Sequence, residues 1–330
     1  MIPETKLAAV TRGLREAFDV TEFEDIRAIT KGRTSALVFR IVVKGSPFLL
    51  RIITNTASML GPERQFICMK LAADAGIAPR IWYSSTEDQI AITDFVEEVP
   101  FPANEALVRM PRLLRALHAL PPFPAGVSQL DTTCMFLLNK TNADGFIPKI
   151  QQANILPPGE FDELLALLAR VAAVYARREA DMVSSHNDLF KPDNILFDGS
   201  RVWLVDWEAA FLNDRYADLA VVANMLVSND AEEGLYLQEY FGHAPDEYQL
   251  ARFFLMRQVA RIFYSMVFLW MGSPGEPERV TEFQRQYWTG EVNLVEKPMK
   301  TVFGRFNRER LLESVRSPRF EEALKIVSAT

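Results

Sequence analysis

The chain has 330 residues, 49% hydrophobic and 24% charged, with a net charge of −7. That length and apolar content support a large core divided into two lobes or domains, and the acidic balance excludes nucleic acid as a general partner. Two cysteines far apart in sequence, Cys68 and Cys134, supply neither a disulfide framework nor zinc spacing. With an N-terminus lacking the apolar core of a signal peptide, they point to a cytoplasmic protein.

Residues 26–41 read as strand, turn, strand, with Gly32, Thr34 and Ser35 at the turn. Such a turn is either an ordinary hairpin or one whose backbone N–H groups approach phosphate oxygens. The next strand, Phe48-Leu49-Leu50-Arg51-Ile52-Ile53, carries a cation inside an apolar run, which is costly unless an anion meets it. A helix is predicted over 62–76, with Pro62 in its first turn and Gly76 as its stop. Glu63 is then either a partner for Arg51 across the sheet or simply an acid favoured in a first helical turn. Two more strands are predicted at 77–83 and 89–96, and prolines in 97–102 mark the expected lobe boundary, dividing 1–97 from 98–330. Beyond it, 105–120 and 160–180 carry helical apolar spacing, with proline breaks at 121–124 and 157–159.

The most informative stretch is Ser185-His186-Asn187-Asp188-Leu189-Phe190-Lys191-Pro192-Asp193-Asn194-Ile195-Leu196-Phe197, followed by Val202-Trp203-Leu204-Val205-Asp206-Trp207-Glu208. Two short apolar runs around Asp198-Gly199-Ser200 predict a hairpin with a tight turn. It brings Asn194, at the start of one strand, near Asp206, at the end of the next. Phosphoryl transfer from ATP needs a carboxylate to orient the attacking hydroxyl and accept its proton, plus oxygen ligands holding Mg²⁺ against the phosphates. Asp188 fits the first role, and Asn194 and Asp206 fit the second.

After the hairpin, residues 209–220 lead directly into another helix. That leaves no room for a peptide platform and favours a small-molecule acceptor; Asp218 is expected to cap N–H groups at the helix start. Residues 252–271 are rich in aromatic side chains, and the most apolar run, 262–271, is too short to span a bilayer and reads as a buried helix. Tyr264, Trp270 and Trp288 are candidate contacts for an ammonium group through cation–π attraction, or else helix core. Glu208 is a further candidate for acceptor contact. The tail over 297–319 is locally basic, which a solvated helix face or a docking surface explains.

These residues resemble the phosphotransferase family of choline and ethanolamine kinases and aminoglycoside phosphotransferases, a branch of the protein-kinase-like fold. In that resemblance His186, Asp188, Asn194 and Asp206 occupy the family's catalytic and metal-binding places, and Asp206-Trp207-Glu208 is similar to the choline kinase form Asp-aromatic-Glu. The loop departs from the family by one residue: Asn194 lies six positions after Asp188 where the family has five, so Asp193 is the competing ligand. Asn194 is preferred because Asn194-Ile195-Leu196 reproduces the family's passage into the strand. His186 is expected to support the loop by hydrogen-bonding the backbone near Asp206.

The resemblance further implies an α+β, two-lobed fold with a small antiparallel-sheet N-lobe and a larger, mainly helical C-lobe. Gly32, Thr34, Ser35 and Arg51 are expected at the phosphates of ATP, Glu63 matches the family's helix Glu, and Asp94 to Val96 lie at the adenine-binding hinge. The implied function is ATP- and Mg²⁺-dependent phosphorylation of a hydroxyl on choline, ethanolamine or a related amino alcohol. An aminoglycoside or other small metabolite is the alternative acceptor. A nucleotide-binding pseudokinase acting as a regulatory module is the alternative of another class, favoured if the extra residue displaces Asn194. Neither nucleic acid nor a membrane span is expected, and self-association is left open.

Overall fold

The structure is a computed structural model and describes residues 2–29, 36–54, 62–124, 146–153, 156, 159–190, 192–272, 282–292, 294 and 296–329. The chain opens with an amphipathic helix absent from the sequence expectations, α1 (Glu4–Phe18). Strands β1 (Asp25–Ala28), β2 (Ala36–Val43) and β3 (Ser46–Ile53) follow, then α2 (Pro62–Asp74), β4 (Ile81–Ser85) and β5 (Ile90–Asp94). They form one antiparallel five-stranded sheet in the order β1-β2-β3-β5-β4. Lys44 and Gly45 close β2 onto β3, both with positive φ (50° and 73°), the twist that a two-residue hairpin requires.

Alternation along β3 decides where its cation goes. Phe48, Leu50 and Ile52 are buried on one face, packed with Val10 and Leu14 of α1. Arg51 therefore projects from the opposite face. The strand expected from residue 77 begins only at Ile81, because the N–H groups of Ile77 and Ala78 both donate to Ala72 O and close the end of α2.

Then come α3 (Ala103–His118), α4 (Phe146–Ala153), α5 (Glu160–Val174), β6 (Met182–Ser185), β7 (Ile195–Phe197), β8 (Val202–Leu204) and β9 (Phe211–Asp214). The remainder is helical: α6 (Arg215–Leu226), α7 (Asp230–Phe241), α8 (Glu247–Met271), α9 (Phe283–Trp288), α10 (Lys297–Val315) and α11 (Pro318–Ser328). The small sheet followed by this helical body matches the expected α+β, two-lobed arrangement. Helix α5 stops at Val174, short of the expected residue 180, where Tyr175 leaves helical geometry and buries its ring 3.8 Å from the Arg252 guanidinium.

Helix α8 is the axis of the helical body, packed by α6, α10 and α11. The expectation of a short apolar run is corrected here: the helix has 25 residues and is long and apolar enough to cross a membrane by length and composition alone. Its surroundings account for that apolarity, since 83% of the apolar window is buried inside the protein. It also carries buried arginines, each anchored: Arg252 on Asp214 (2.8 Å), Arg257 on Glu233 (2.9 Å) and Arg261 on Ser314 Oγ (2.6 Å). Buried charges of this kind are tolerated only when so paired. The basic tail is likewise absorbed, with Arg308 on Glu160 and Arg319 on Asp230 and Glu233.

Two small antiparallel pairs position the chemistry. Ser185 at the end of β6 lies opposite Phe211 of β9, and Ile195 of β7 lies opposite Leu204 of β8. The loop between β6 and β7 and the loop between β8 and β9 must therefore run side by side. The hairpin turn is fastened by Asp198, whose Oδ1 accepts from the N–H groups of Ser200 and Arg201 while Oδ2 accepts from Trp203 Nε1. Gly199, at φ 91°, supplies the left-handed residue.

Candidate active site

The loop after β6 is held from beneath. Asp218, buried in α6, accepts the backbone N–H of His186 on Oδ2 and that of Asn187 on Oδ1, both at 2.8 Å. This corrects the expected capping role: the cap of α6 is Asp214, which accepts from Tyr216 N. Burial alone would raise the Asp218 carboxyl, but its hydrogen bonds to His118 and the His186 N–H outweigh this and hold it below the usual range. His118 lies 3.3 Å from Asp218 through Nε2 and 2.7 Å from Tyr240 OH through Nδ1. Burial pushes His118 down, against the pull of Asp218.

Asn187 has φ 66°, a left-handed conformation that Asn tolerates better than most residues. Its Nδ2 donates to Ala209 O at 3.1 Å and Phe211 O at 3.4 Å, and its Oδ1 accepts from Asn213 Nδ2 at 2.7 Å. His186 lies 2.9 Å from Val205 O through Nε2 and packs its ring 4.7 Å from Trp207. The expected contact of His186 with backbone beside Asp206 is thus present in the geometry.

Between Asp188 and Asn194, Pro192–Asn194 form a 3₁₀ turn. Asn194 is buried and donates Nδ2 to Asp188 O at 2.8 Å and to Asp188 Oδ2 at 3.0 Å, leaving Oδ1 as the atom it can offer an ion. Its carbonyl accepts from Val205 N at 3.0 Å, which seats it beside Asp206. Carboxylate oxygens of Asp188, Asp206 and Glu208 lie within 4.8 Å of one another. Glu208, expected at the acceptor, therefore joins the acidic cluster. The carboxylates of Asp206 and Glu208 with the amide oxygen of Asn194 would offer an all-oxygen donor set that suits a hard divalent cation such as Mg²⁺ and contains no soft ligand.

A direct test separates the two candidate ligands in this loop. Asn194→Ala should raise the Mg²⁺ concentration needed for half-maximal ADP binding by about tenfold or more, the scale of losing a metal-site oxygen, while Asp193→Ala changes it little. Calorimetric titration at several Mg²⁺ concentrations reads both, and the reverse order would make Asp193 the ligand.

Arg51 meets its anion at Asp206, with Nη2 2.6 Å from Oδ1. The expected Glu63 partnership is not formed among the described residues: Glu63 is exposed in the first turn of α2. The neighbouring residue faces inward instead. Arg64, 7% exposed, donates Nη1 to Ala210 O at 2.6 Å and Nη2 to Glu208 O at 3.1 Å. A helical turn further on, Cys68 Sγ lies 3.7 Å from Ala210 O, and burial pushes its thiol up to about 11. The inward row 64, 68, 72 is helically periodic, so this Arg on a buried stripe was a signal available in the sequence.

Asp94 is also committed elsewhere. Its Oδ1 accepts from Trp82 Nε1 at 2.6 Å and its N–H donates to Arg80 O, so its side chain faces the sheet edge. Val96 lies in the connecting segment just beyond β5, whose backbone continues to Val99, where N–H donates to Phe197 O. Gly32, Thr34 and Ser35 lie outside the described residues.

The acceptor candidates divide. Tyr264 is buried 4.9 Å from Phe190 and 6.0 Å from Phe303, and Trp288 is buried with Nε1 on Phe101 O at 3.0 Å. Both rings are core, which corrects the expectation that they meet an ammonium group: their faces are spent on other rings. Trp270 is half-buried against the same cluster. Tyr287 donates its hydroxyl to Phe190 O at 2.9 Å. This aromatic layer supports the catalytic loop from below through Phe190.

A model of the phosphotransferase enzyme family matches residues 25–254. Among solved structures, a choline/ethanolamine kinase family protein from Mesorhizobium loti is similar at 18% identity and a TM-score of 0.68, covering 98% of this chain and 100% of that one. The choline kinase LicA from Streptococcus pneumoniae matches at 14% identity and 0.56, covering 98% and 99%. A spectinomycin phosphotransferase in complex with ADP and spectinomycin matches at 12% identity and 0.52, covering 98% and 97%. No curated protein matches the sequence.

Proposed function

This chain belongs to the phosphotransferase enzyme family, whose members are small-molecule kinases, and on that premise we propose that it phosphorylates a hydroxyl of choline, ethanolamine or a related amino alcohol, using ATP and Mg²⁺. The observation that carries the reading is the convergence of Asp188, Asp206 and Glu208 within 4.8 Å, with Asn194 bonded to Asp188. In this reading residues 1–97 form the nucleotide lobe and residues 98–330 the catalytic and acceptor lobe. A cytoplasmic setting, rich in ATP, accords with a buried free thiol at Cys68.

Each residue then has a task. Asp188 orients the acceptor hydroxyl and takes its proton as the phosphoryl group moves. Asp206 and Asn194, with Glu208 beside them, hold the metal. Mg²⁺, when bound, neutralises charge on the phosphate oxygens. Arg51, paired with Asp206 in this structure, would be the cation offered to those oxygens. His186 and Asp218 fix the loop, so that Asp188 need not be reorganised during the reaction. Adenine is read by backbone groups of the segment around Phe95 and Val96, since the Asp94 carboxylate is held by Trp82.

The charge of Asp193, an acid of the loop not assigned to the metal, favours a cationic acceptor. β9 runs straight into α6, a connection that favours a small acceptor over a peptide. An aminoglycoside is the second reading, favoured by the core placement of Tyr264 and Trp288, which removes two rings of an aromatic cage. Measuring ATP consumption against amino alcohols, aminoglycosides and sugars decides between them. The highest kcat/KM is expected on choline or ethanolamine; a higher value on an aminoglycoside would replace this reading, and Mg²⁺-dependent nucleotide binding without turnover on any acceptor would favour a pseudokinase.

A further inference from the structure

The segment 208–211 is gripped from both sides, and the grips alternate. Glu208 O and Ala210 O accept from Arg64 of α2, at 3.1 and 2.6 Å. Ala209 O and Phe211 O accept from Asn187 of the catalytic loop, at 3.1 and 3.4 Å. Just before this segment stands Asp206, in the left-handed region at φ 67° and at the start of the 3₁₀ turn Trp207–Ala209. Both acids of the loop thus adjoin a backbone whose successive carbonyls are held by one guanidinium and one amide.

From this geometry we propose that Arg64 is a positioning residue: it registers helix α2 against the loop bearing Asp206 and Glu208, in the place where the sequence suggested Glu63. The inference rests on the phosphotransfer reading of that loop. A guanidinium is suited to the task because its planar fork reaches two carbonyls at once and so fixes orientation as well as distance. A lysine ammonium, as a point charge, can hold only one of them well. The two carbonyls supply the hydrogen bonds that a buried guanidinium needs. Displacement of α2 in this arrangement displaces the metal-binding acids, and Asn187, which holds the same segment, passes the displacement to the adjacent Asp188.

The test uses the full-length protein and ADP as probe, titrated calorimetrically over a series of MgCl₂ concentrations and in EDTA. Arg64→Met should raise the half-saturating Mg²⁺ concentration by about tenfold or more, on the scale of losing support to a metal ligand, with ADP affinity in EDTA within about twofold of wild type. Arg64→Lys, which keeps the stem and charge, should fall between. Lys70→Ala, an exposed change on the same helix, serves as control and should match wild type. If Arg64→Met does not fold, Arg64→Lys alone decides. A wild-type Mg²⁺ requirement in a folded Arg64 variant overturns the proposal, as does an equal loss of ADP affinity with and without metal. Wild-type protein that binds ADP with no Mg²⁺ dependence would instead overturn the phosphotransfer reading itself.

Discussion

Asp188→Asn is expected to lower kcat by about 10²- to 10⁴-fold, the range for loss of a positioned base, while leaving the affinity for ADP and Mg²⁺ near that of wild type. The substitution is nearly isosteric, and the contact it must preserve is specific. Asp188 Oδ2 accepts from Asn194 Nδ2 at 3.0 Å, and the carbonyl oxygen of an Asn at this position can accept the same bond. The loop should stay in place because its anchors are elsewhere, in the backbone N–H groups of His186 and Asn187 on Asp218. What is lost is the anionic oxygen that receives the proton of the attacking hydroxyl. Steady-state kinetics with ADP titration separates the two quantities. Turnover within a few-fold of wild type would remove Asp188 from the chemistry, and a parallel collapse of ADP binding would mean that Asp188 acts through the metal.

The parts of the site that were legible in the sequence are those set by short-range geometry. A nine-residue loop followed by two apolar runs around Asp-Gly-Ser leaves little choice but a hairpin, and the hairpin brings Asn194 to Asp206. Arg51 was legible for a different reason: a cation within an alternating apolar strand must point to the opposite face and meet an anion there. Its actual partner was not legible, because the choice between Glu63 and Asp206 depends on how α2 is rotated. One residue along a helix is about 100° of rotation. Packing of Phe66, Cys68 and Met69 into the core turned Arg64 inward and left Glu63 outside.

The acceptor residues were harder for a related reason. An aromatic cage and an aromatic core share one composition, and only tertiary contacts distinguish them. Tyr264 and Trp288 found other rings and a backbone carbonyl. The Asp94 carboxylate is taken by Trp82, twelve positions earlier on the neighbouring strand, which leaves untouched the expectation that adenine is read by backbone groups of that segment. Asp218 was read as a helix cap because it stands at a helix start; its partners come from a loop more than thirty residues upstream, a separation that local pattern does not register.

Asp206→Ala should abolish the Mg²⁺-dependent part of ADP binding and reduce turnover at least as far as the Asp188 change. Two physical effects are superimposed in that variant and can be separated. The first is loss of an anionic ligand from the acidic cluster, which removes the strongest electrostatic attraction for the ion. The second is loss of the partner of Arg51, whose side chain is 12% exposed; leaving such a group unpaired costs about 1.5–3 kcal/mol, the range for a hydrogen bond to a charged group. Asp206→Asn distinguishes them, since the amide oxygen still accepts from Arg51 Nη2 but carries no charge for the metal. Thermal unfolding in EDTA should therefore place Asp206→Asn between wild type and Asp206→Ala, since the amide keeps the hydrogen bond to Arg51 but not the charge. Adding Mg²⁺ to protein already saturated with ADP should raise the wild-type midpoint further, through preferential binding to the folded state, and leave both variants at their ADP-only midpoints. A full Mg²⁺-dependent rise in both variants would place the metal on Asp188 and Glu208 alone, and would leave Asp206 only the task of holding Arg51.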